Sequence, residues 1–326
     1  MKYIGGFFEL ETNISSHGKP FHTNALAFQS GRSGLNYIIQ QLSPSKIFLP
    51  FYCCDSLIEP LIRSKIPYEF YSIDSNFMPI DKIDLKKDQY IVYVNYFGVF
   101  KKNVKILYRR YKSKLILDNT QAFFEFQYKD CCSFNSARKF FGVPDGSYVY
   151  LPRDVSGYEM LPRNTKISLL HLKLRLRGDQ SKAYKRYLQY EKTIDSGLKK
   201  ISAVSEEILK GLDYESIRTK RKSNFQFYHR KLAKLNRLRL NVDAGAVPHY
   251  YPFLPNIPVD RLQCSKAGIF IPTFWPDVLT RKMQNFYFEK KLAKELLLLP
   301  IDHRYTEKDC AVVVATLGQD LNINKS

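Results

Sequence analysis

Between about Ala25 and Leu151, short β-rich apolar runs alternate with stretches of helical periodicity, and few folds accept that rhythm. Strands are expected at Lys46 to Leu49, Tyr68 to Ile73, Tyr90 to Asn95, Lys114 to Leu117 and Ser147 to Leu151. Between them Leu35, Ile38, Ile39 and Leu42 recur on one helix face, as do Leu57, Leu61 and Ile62, and Val104, Leu107, Tyr108 and Tyr111. Crossover helices between such strands make a mostly parallel sheet covered on its faces. The 326 residues exceed what one core usually fills, so a second, smaller lobe is expected.

Helical spacing returns at Val204, Ile208 and Leu212, and again at Ile217, Phe225, Tyr228 and Leu232. The intervening segment Arg163 to Gly197 is strongly basic, and its Leu170 to Arg177 run alternates like a strand yet also suits a helix. After Leu235 the pattern shifts to a Pro-rich extended run (Pro248 to Pro258), a helical stretch (Val259 to Lys266), a strand or helix end (Leu296 to Leu299) and a capped helix (Thr306 to Leu317). The expected division is a large domain over 1–235, which includes the linker helices, and a small C-terminal α/β domain over 236–326.

A 44% hydrophobic and 25% charged composition excludes disorder and coiled coil. Lys and Arg total 51 against 31 acidic residues, a formal charge of +20 that favours anionic partners. A basic binding protein for nucleic acid or membrane surface, using Arg163 to Lys200, is one reading of that charge, but no nucleic-acid-binding motif supports it and charge runs are usually solvated faces. The six cysteines occur as Cys53-Cys54, Cys131-Cys132, Cys264 and Cys310, without CxxC or zinc-finger spacing, so reduced thiols and no metal are expected. Met1 to Glu9 lacks the pattern of a secretion signal and no apolar run is long enough to span a bilayer, so a cytoplasmic protein is expected. Asn13-Ile14-Ser15 fits a glycosylation sequon, which means little without secretion.

Open parallel sheets bind ligands beyond the carboxyl ends of their strands, and four candidate places lie there. Gln29-Ser30-Gly31-Arg32-Ser33-Gly34 runs into the helix expected from Leu35, where free amides and the Ser30 and Ser33 hydroxyls suit a phosphate; Ser33 as a plain helix cap is the alternative. Asp118 ends a buried strand, as a functional carboxylate or a cap. Lys139 sits among aromatic residues in Ser133 to Gly142. A desolvated lysine becomes an amine nucleophile for a carbonyl, Schiff-base chemistry that Arg138 cannot perform because guanidinium stays protonated. A surface Arg-Lys pair is the alternative. Tyr52, after the first strand, is a stacker for a planar ligand or a core aromatic.

Together these residues resemble the DegT/DnrJ/EryC1/StrS family of aminotransferases, which use pyridoxal 5'-phosphate (PLP) and act mainly on keto sugars attached to nucleotides. Ser30-Gly31-Arg32-Ser33 is similar to the family's Ser-Gly-Thr/Arg phosphate turn, and Phe48 to Tyr52 to its Val-Pro-x-Tyr strand end. Leu117-Asp118-Asn119-Thr120-Gln121-Ala122 resembles Glu-Asp-x-Ala-Gln-Ala, and Ser133-Phe134 to Lys139 resembles Ser-Phe-x-x-x-Lys, with Arg138 at the usual lysine position and Lys139 one residue later. Glu295-Leu296-Leu297-Leu298-Leu299-Pro300 to Asp309 resembles the closing Leu-Pro…Thr-Glu-x-Asp segment, while the usual Gly-x-Asn-x-Arg stretch is missing.

The resemblance implies the aspartate-aminotransferase-like fold (PLP fold type I) and a homodimer. It implies PLP carried by Lys139, its pyridine nitrogen paired with Asp118 and its ring oxygen near Gln121. It assigns the phosphate to Ser30, Gly31 and Arg32 with Ser133 or Ser136, and the cofactor face to Tyr52. The implied substrates are an amino-acid donor, glutamate being expected, and a nucleotide sugar, with a non-sugar carbonyl compound as the alternative acceptor.

Overall fold

The computed structural model describes residues 3–16, 18–153, 157–240, 242–243 and 245–321; Met1 and Lys2 of the N-terminal stretch lie outside these ranges. Its main sheet has seven strands in the spatial order Leu26–Phe28, Ser147–Tyr150, Cys132–Asn135, Leu115–Asn119, Gln89–Val94, Lys46–Pro50 and Tyr68–Tyr71. Ser147–Tyr150 runs antiparallel to both neighbours, and all other pairings are parallel once Leu26–Phe28 is followed across it. The central strand Leu115–Asn119 is buried along its whole length, as a strand covered on both faces must be. The five expected strands are all present, with ends shifted by one or two residues. Leu26–Phe28 and Cys132–Asn135 join them; the first is three residues long, and the second carries Ser133 and Asn135, so neither reads as an apolar run.

The helix Gly31–Leu42 begins four residues before Leu35, because Ser30 rather than Ser33 is its cap: Ser30 Oγ accepts the Ser33 amide at 3.1 Å. Gly34 brings this helix close to the sheet, since a methyl there would lie 2.7 Å from Val149 Cγ2 and 3.2 Å from Ser147 Oγ. The basic middle segment is a helical hairpin, Leu170–Leu176 and Gln180–Glu191, turned at Gly178 (φ 83°) and restarted by the Asp179 cap. Its strand-like alternation fails because the buried set is His171, Leu172 and Arg175, one helix face, while Leu170 and Leu176 are exposed. The long helix Tyr214–Leu232 follows, buried through Ile217, Arg221, Asn224, Phe225, Tyr228 and Leu232.

In the C-terminal region Tyr250–Phe253 pairs antiparallel with Leu297–Pro300, and the N-terminal Ile4–Gly5 pairs parallel with Ile269–Phe270. Chain ends are therefore clasped together. Gly5 N donates to Tyr305 Oη at 2.7 Å across 300 residues of sequence. Arg304 bonds both Asp302 and Glu9 at 2.7 Å, and His303 meets Glu11 at 3.1 Å. Burial alone would raise the Asp302 carboxyl, but Arg304 and the neighbouring Arg221 hold it down to about 2.

Alanine in place of a mid-helix glycine ordinarily gains about 0.5–1 kcal/mol. Gly34→Ala should instead lower the melting temperature, because the helix must lift off Val149 and Ser147. An unchanged or raised melting temperature in a thermal scan would show that the close packing is not required.

Candidate active site

The carboxyl ends of the parallel strands converge on the start of the Gly31–Leu42 helix. A methyl placed on Gly31 would meet Thr120 Cγ2 at 3.3 Å and Asn135 O at 3.5 Å, so the segments after Asp118 and before Ser136 both abut that turn. Asp118 is 4% exposed, and its Oδ1 accepts the Thr120 amide at 2.8 Å. Burial raises its pKa, opposed by the Thr120 hydrogen bonds and by the nearby Lys139 charge. Lys139 is half-buried at the end of the turn Ala137–Lys139, and its Nζ lies 5.9 Å from the Phe274 ring centroid. The adjacent Arg138 goes elsewhere: its guanidinium pairs with Glu191 and lies over the Tyr190 ring at 5.7 Å, on the hairpin helix. Neither residue of the pair is exposed as a surface Arg-Lys dipeptide would be.

A chain of hydrogen bonds closes around Lys139. Gln121 Oε1 accepts the Phe97 amide (2.9 Å), Phe97 O accepts the His249 amide (2.8 Å), and His249 Nε2 reaches Lys139 O (2.8 Å). A carbonyl only accepts, so His249 carries its hydrogen on Nε2 and Nδ1 is left as a bare acceptor. Burial, then the Arg221 and Lys139 charges, push His249 well below its ordinary pKa, so its ring is neutral. Arg221, fully buried, donates to the carbonyls of Pro248, His249 and Phe140, and thereby ties the His249 segment to the residue after Lys139. Gln121 Nε2 and His249 Nδ1 are buried with no hydrogen-bond partner among the described residues.

A strap from the same chain covers the side-chain face of the helix turn. Ser30 Oγ donates to Asp195 O (3.1 Å), Ser33 Oγ to Gly197 O (2.7 Å), Arg32 Nη1 to Ile194 O (3.0 Å) and Asn36 Nδ2 to Ser196 O (2.8 Å). The Ser30 and Ser33 hydroxyls are thus committed to protein carbonyls. The amides of Gly31 and Arg32 have no such partner among the described residues and are what the turn offers an anion.

Asp118, Gln121 and Lys139 come together in this way, with the Gly31 turn against Thr120 and Asn135, while the Arg32 side chain goes to the strap. Ser133 is 1% exposed within its strand, on the sheet face opposite Phe134, whereas Ser136 follows the strand end and starts the turn to Lys139 without capping it. Tyr52 is fully buried between Tyr96 (5.9 Å) and Trp275 (4.6 Å), the packing of a core aromatic, and its hydroxyl has no partner among the described residues. His249, Phe97, Phe274, Trp275 and the Ile194–Gly197 strap were not singled out by sequence; the Pro-rich frame around His249 was the only signal.

The chain shares its fold with solved aminotransferases. TlmJ from Streptoalloteichus hindustanus superposes with a TM-score of 0.68 at 12% identity over 99% of this chain and 100% of that one. A sugar aminotransferase from Micromonospora echinospora gives 0.59 at 15% identity over 90% and 87%. The Bacillus subtilis protein NtdA with bound cofactor PMP gives 0.61 at 16% over 91% and 73%. These likenesses establish PLP fold type I architecture for the chain. No family model and no curated protein matches its sequence.

Burial holds His22 down to about 3 and His171 to about 4, against the Phe123 bond and the Glu191 charge respectively, and His249 lower than its ordinary value as well. In the unfolded chain these imidazoles titrate at ~6.5. Below that pH the unfolded state binds protons that the fold refuses, so stability is full above ~6.5 and falls as pH drops toward 4. Thermal melts from pH ~7.5 to ~5 should show a steady decline that His22→Gln makes shallower. A flat profile would mean that these rings are not held neutral. Asp302 loses its contribution only below its ordinary range, outside this window.

Proposed function

We propose that this chain is a PLP-dependent aminotransferase that moves an amino group from an amino acid, glutamate being the donor expected, to a keto sugar carried on a nucleotide. The observation that carries this reading is a half-buried lysine amine near enough to a buried carboxylate to favour its charged form, in a fold shared with aminotransferases. The residues present fit the cofactor. Buried Gln121 Nε2 is an unused donor, Gly31 and Arg32 offer amides to a phosphate with Ser136 beside them, and Asp118 is an acid for a ring nitrogen. When bound, PLP supplies an aldehyde for amine exchange and a pyridinium that accepts the electron pair left on a substrate carbon.

Lys139 Nζ would hold the cofactor and move the proton at the donor's α-carbon. Asp118 would keep the proton on the pyridine nitrogen, whose positive charge in turn supports the buried carboxylate. His249 and Arg221 fix the Lys139 main chain, so that Nζ swings from a stationary pivot. The +20 charge favours an anionic nucleotide sugar over a neutral one. The reading includes a large domain over 1–235, a small one over 236–326, a homodimer and a cytoplasmic location; no helix among the described residues is long and apolar enough to cross a membrane.

Incubated with PLP, the protein should gain a near-ultraviolet to visible band, and borohydride should fix the label on Lys139, read by peptide mass spectrometry. Asp118→Asn should weaken PLP binding by about 10- to 100-fold, the worth of one hydrogen bond to a charged group. Labelling at another lysine, or no uptake at all, would overturn the assignment.

A further inference from the structure

Phe274 differs from the rings around it. Tyr52, Tyr96 and Phe97 are fully buried and engaged with other aromatics, whereas Phe274 keeps part of its surface open and has the Lys139 amine 5.9 Å from its centroid. Around it stand Trp275 (5.5 Å), Tyr250 (5.5 Å), His249 (6.0 Å) and Phe97 (6.4 Å). The two flanking rings are held at a cost. Phe97 (φ 55°) and Trp275 (φ 56°) both occupy the left-handed region, which is unfavourable for a bulky residue and persists only where surroundings enforce it. Gln121 enforces the first, through the Phe97 amide. Packing on Tyr52 at 4.6 Å enforces the second. Strain at two neighbours thus fixes a partly exposed ring beside the candidate reactive amine.

Close to that ring lies an unused acceptor, His249 Nδ1, on an imidazole whose centroid is 6.0 Å from that of Phe274. An apolar plate beside a lone acceptor complements a saturated ring, whose C–H face needs the plate and whose hydroxyl can donate to the acceptor. An open-chain keto acid has no such face. Resting on the function proposed above, we propose that Phe274 is a specificity-determining residue: it forms the wall against which the ring of the amino acceptor lies.

Trp275 is the only tryptophan in the chain, so its emission reports on this wall. PLP-loaded wild type, Phe274→Ala and Phe274→Tyr would be titrated with UDP-glucose and myo-inositol, as rings with and without a nucleotide, and with 2-oxoglutarate as the flexible carbonyl. A ring compound should shift Trp275 emission in wild type. Its Kd should weaken about tenfold in Phe274→Ala and stay within about twofold in Phe274→Tyr, while the affinities for 2-oxoglutarate and PLP hardly change. The proposal is overturned if neither ring shifts the emission, if Phe274→Ala binds the ring as wild type does, or if it loses ring, keto acid and PLP alike. Failure of wild type to take up PLP would count against the aminotransferase reading alone, and the ring titrations would then be scored on the cofactor-free protein by the same criteria.

Discussion

A carboxylate ending the central strand of an apolar sheet is expensive to bury, and the site is organised around compensating Asp118. The Thr120 amide supplies one hydrogen bond and Lys139 supplies opposite charge from the next strand end. The tight turn at Thr120 brings Gln121 to the Phe97 amide, and from there hydrogen bonds run through His249 to the Lys139 carbonyl. The turn that Asp118 caps is thus joined by hydrogen bonds to the Phe97 and His249 segments and to Lys139. The parallel sheet makes this possible because its strands end on the same side, so residues distant in sequence meet without long side chains.

What was legible in the sequence is what short-range pattern encodes. Apolar runs of four to six residues marked five strands, and the polar end of one of them drew attention to Asp118. Patterns could not report partners. Ser30 and Ser33 have the residue types of a phosphate turn, yet their hydroxyls are spent on carbonyls of a strap more than 160 residues away. Chemistry separates Arg138 from Lys139 in the sequence, but where the guanidinium goes depends on Glu191, 53 residues on. His249 enters through a bond spanning 110 residues. Tyr52 is the converse case, since a ring at a strand end suits a ligand until Trp275 is seen packed on it.

The hairpin Leu170–Glu191 shows how charge and burial are reconciled in a basic chain. Its inner face keeps His171 neutral and lays Arg175 over the Phe7 ring at 4.8 Å, with Glu9 3.5 Å away, so cationic side chains serve as packing material. Its outer face leaves most of the remaining lysines and arginines in water. A fold stable with this much positive charge needs that division, because solvated charges repel weakly while buried ones must each be answered.

The clasp between the first and last parts of the chain has a bearing on biosynthesis. Ile4–Gly5 cannot pair until Ile269–Phe270 has been made, and Gly5 waits for Tyr305 across 300 residues. At about 5–20 residues per second, a ribosome holds the first strand unsatisfied for roughly 15 to 60 seconds, long after the central sheet has the material to form. Until then that strand is an unpaired edge, for which a chaperone or a neighbouring nascent chain can compete.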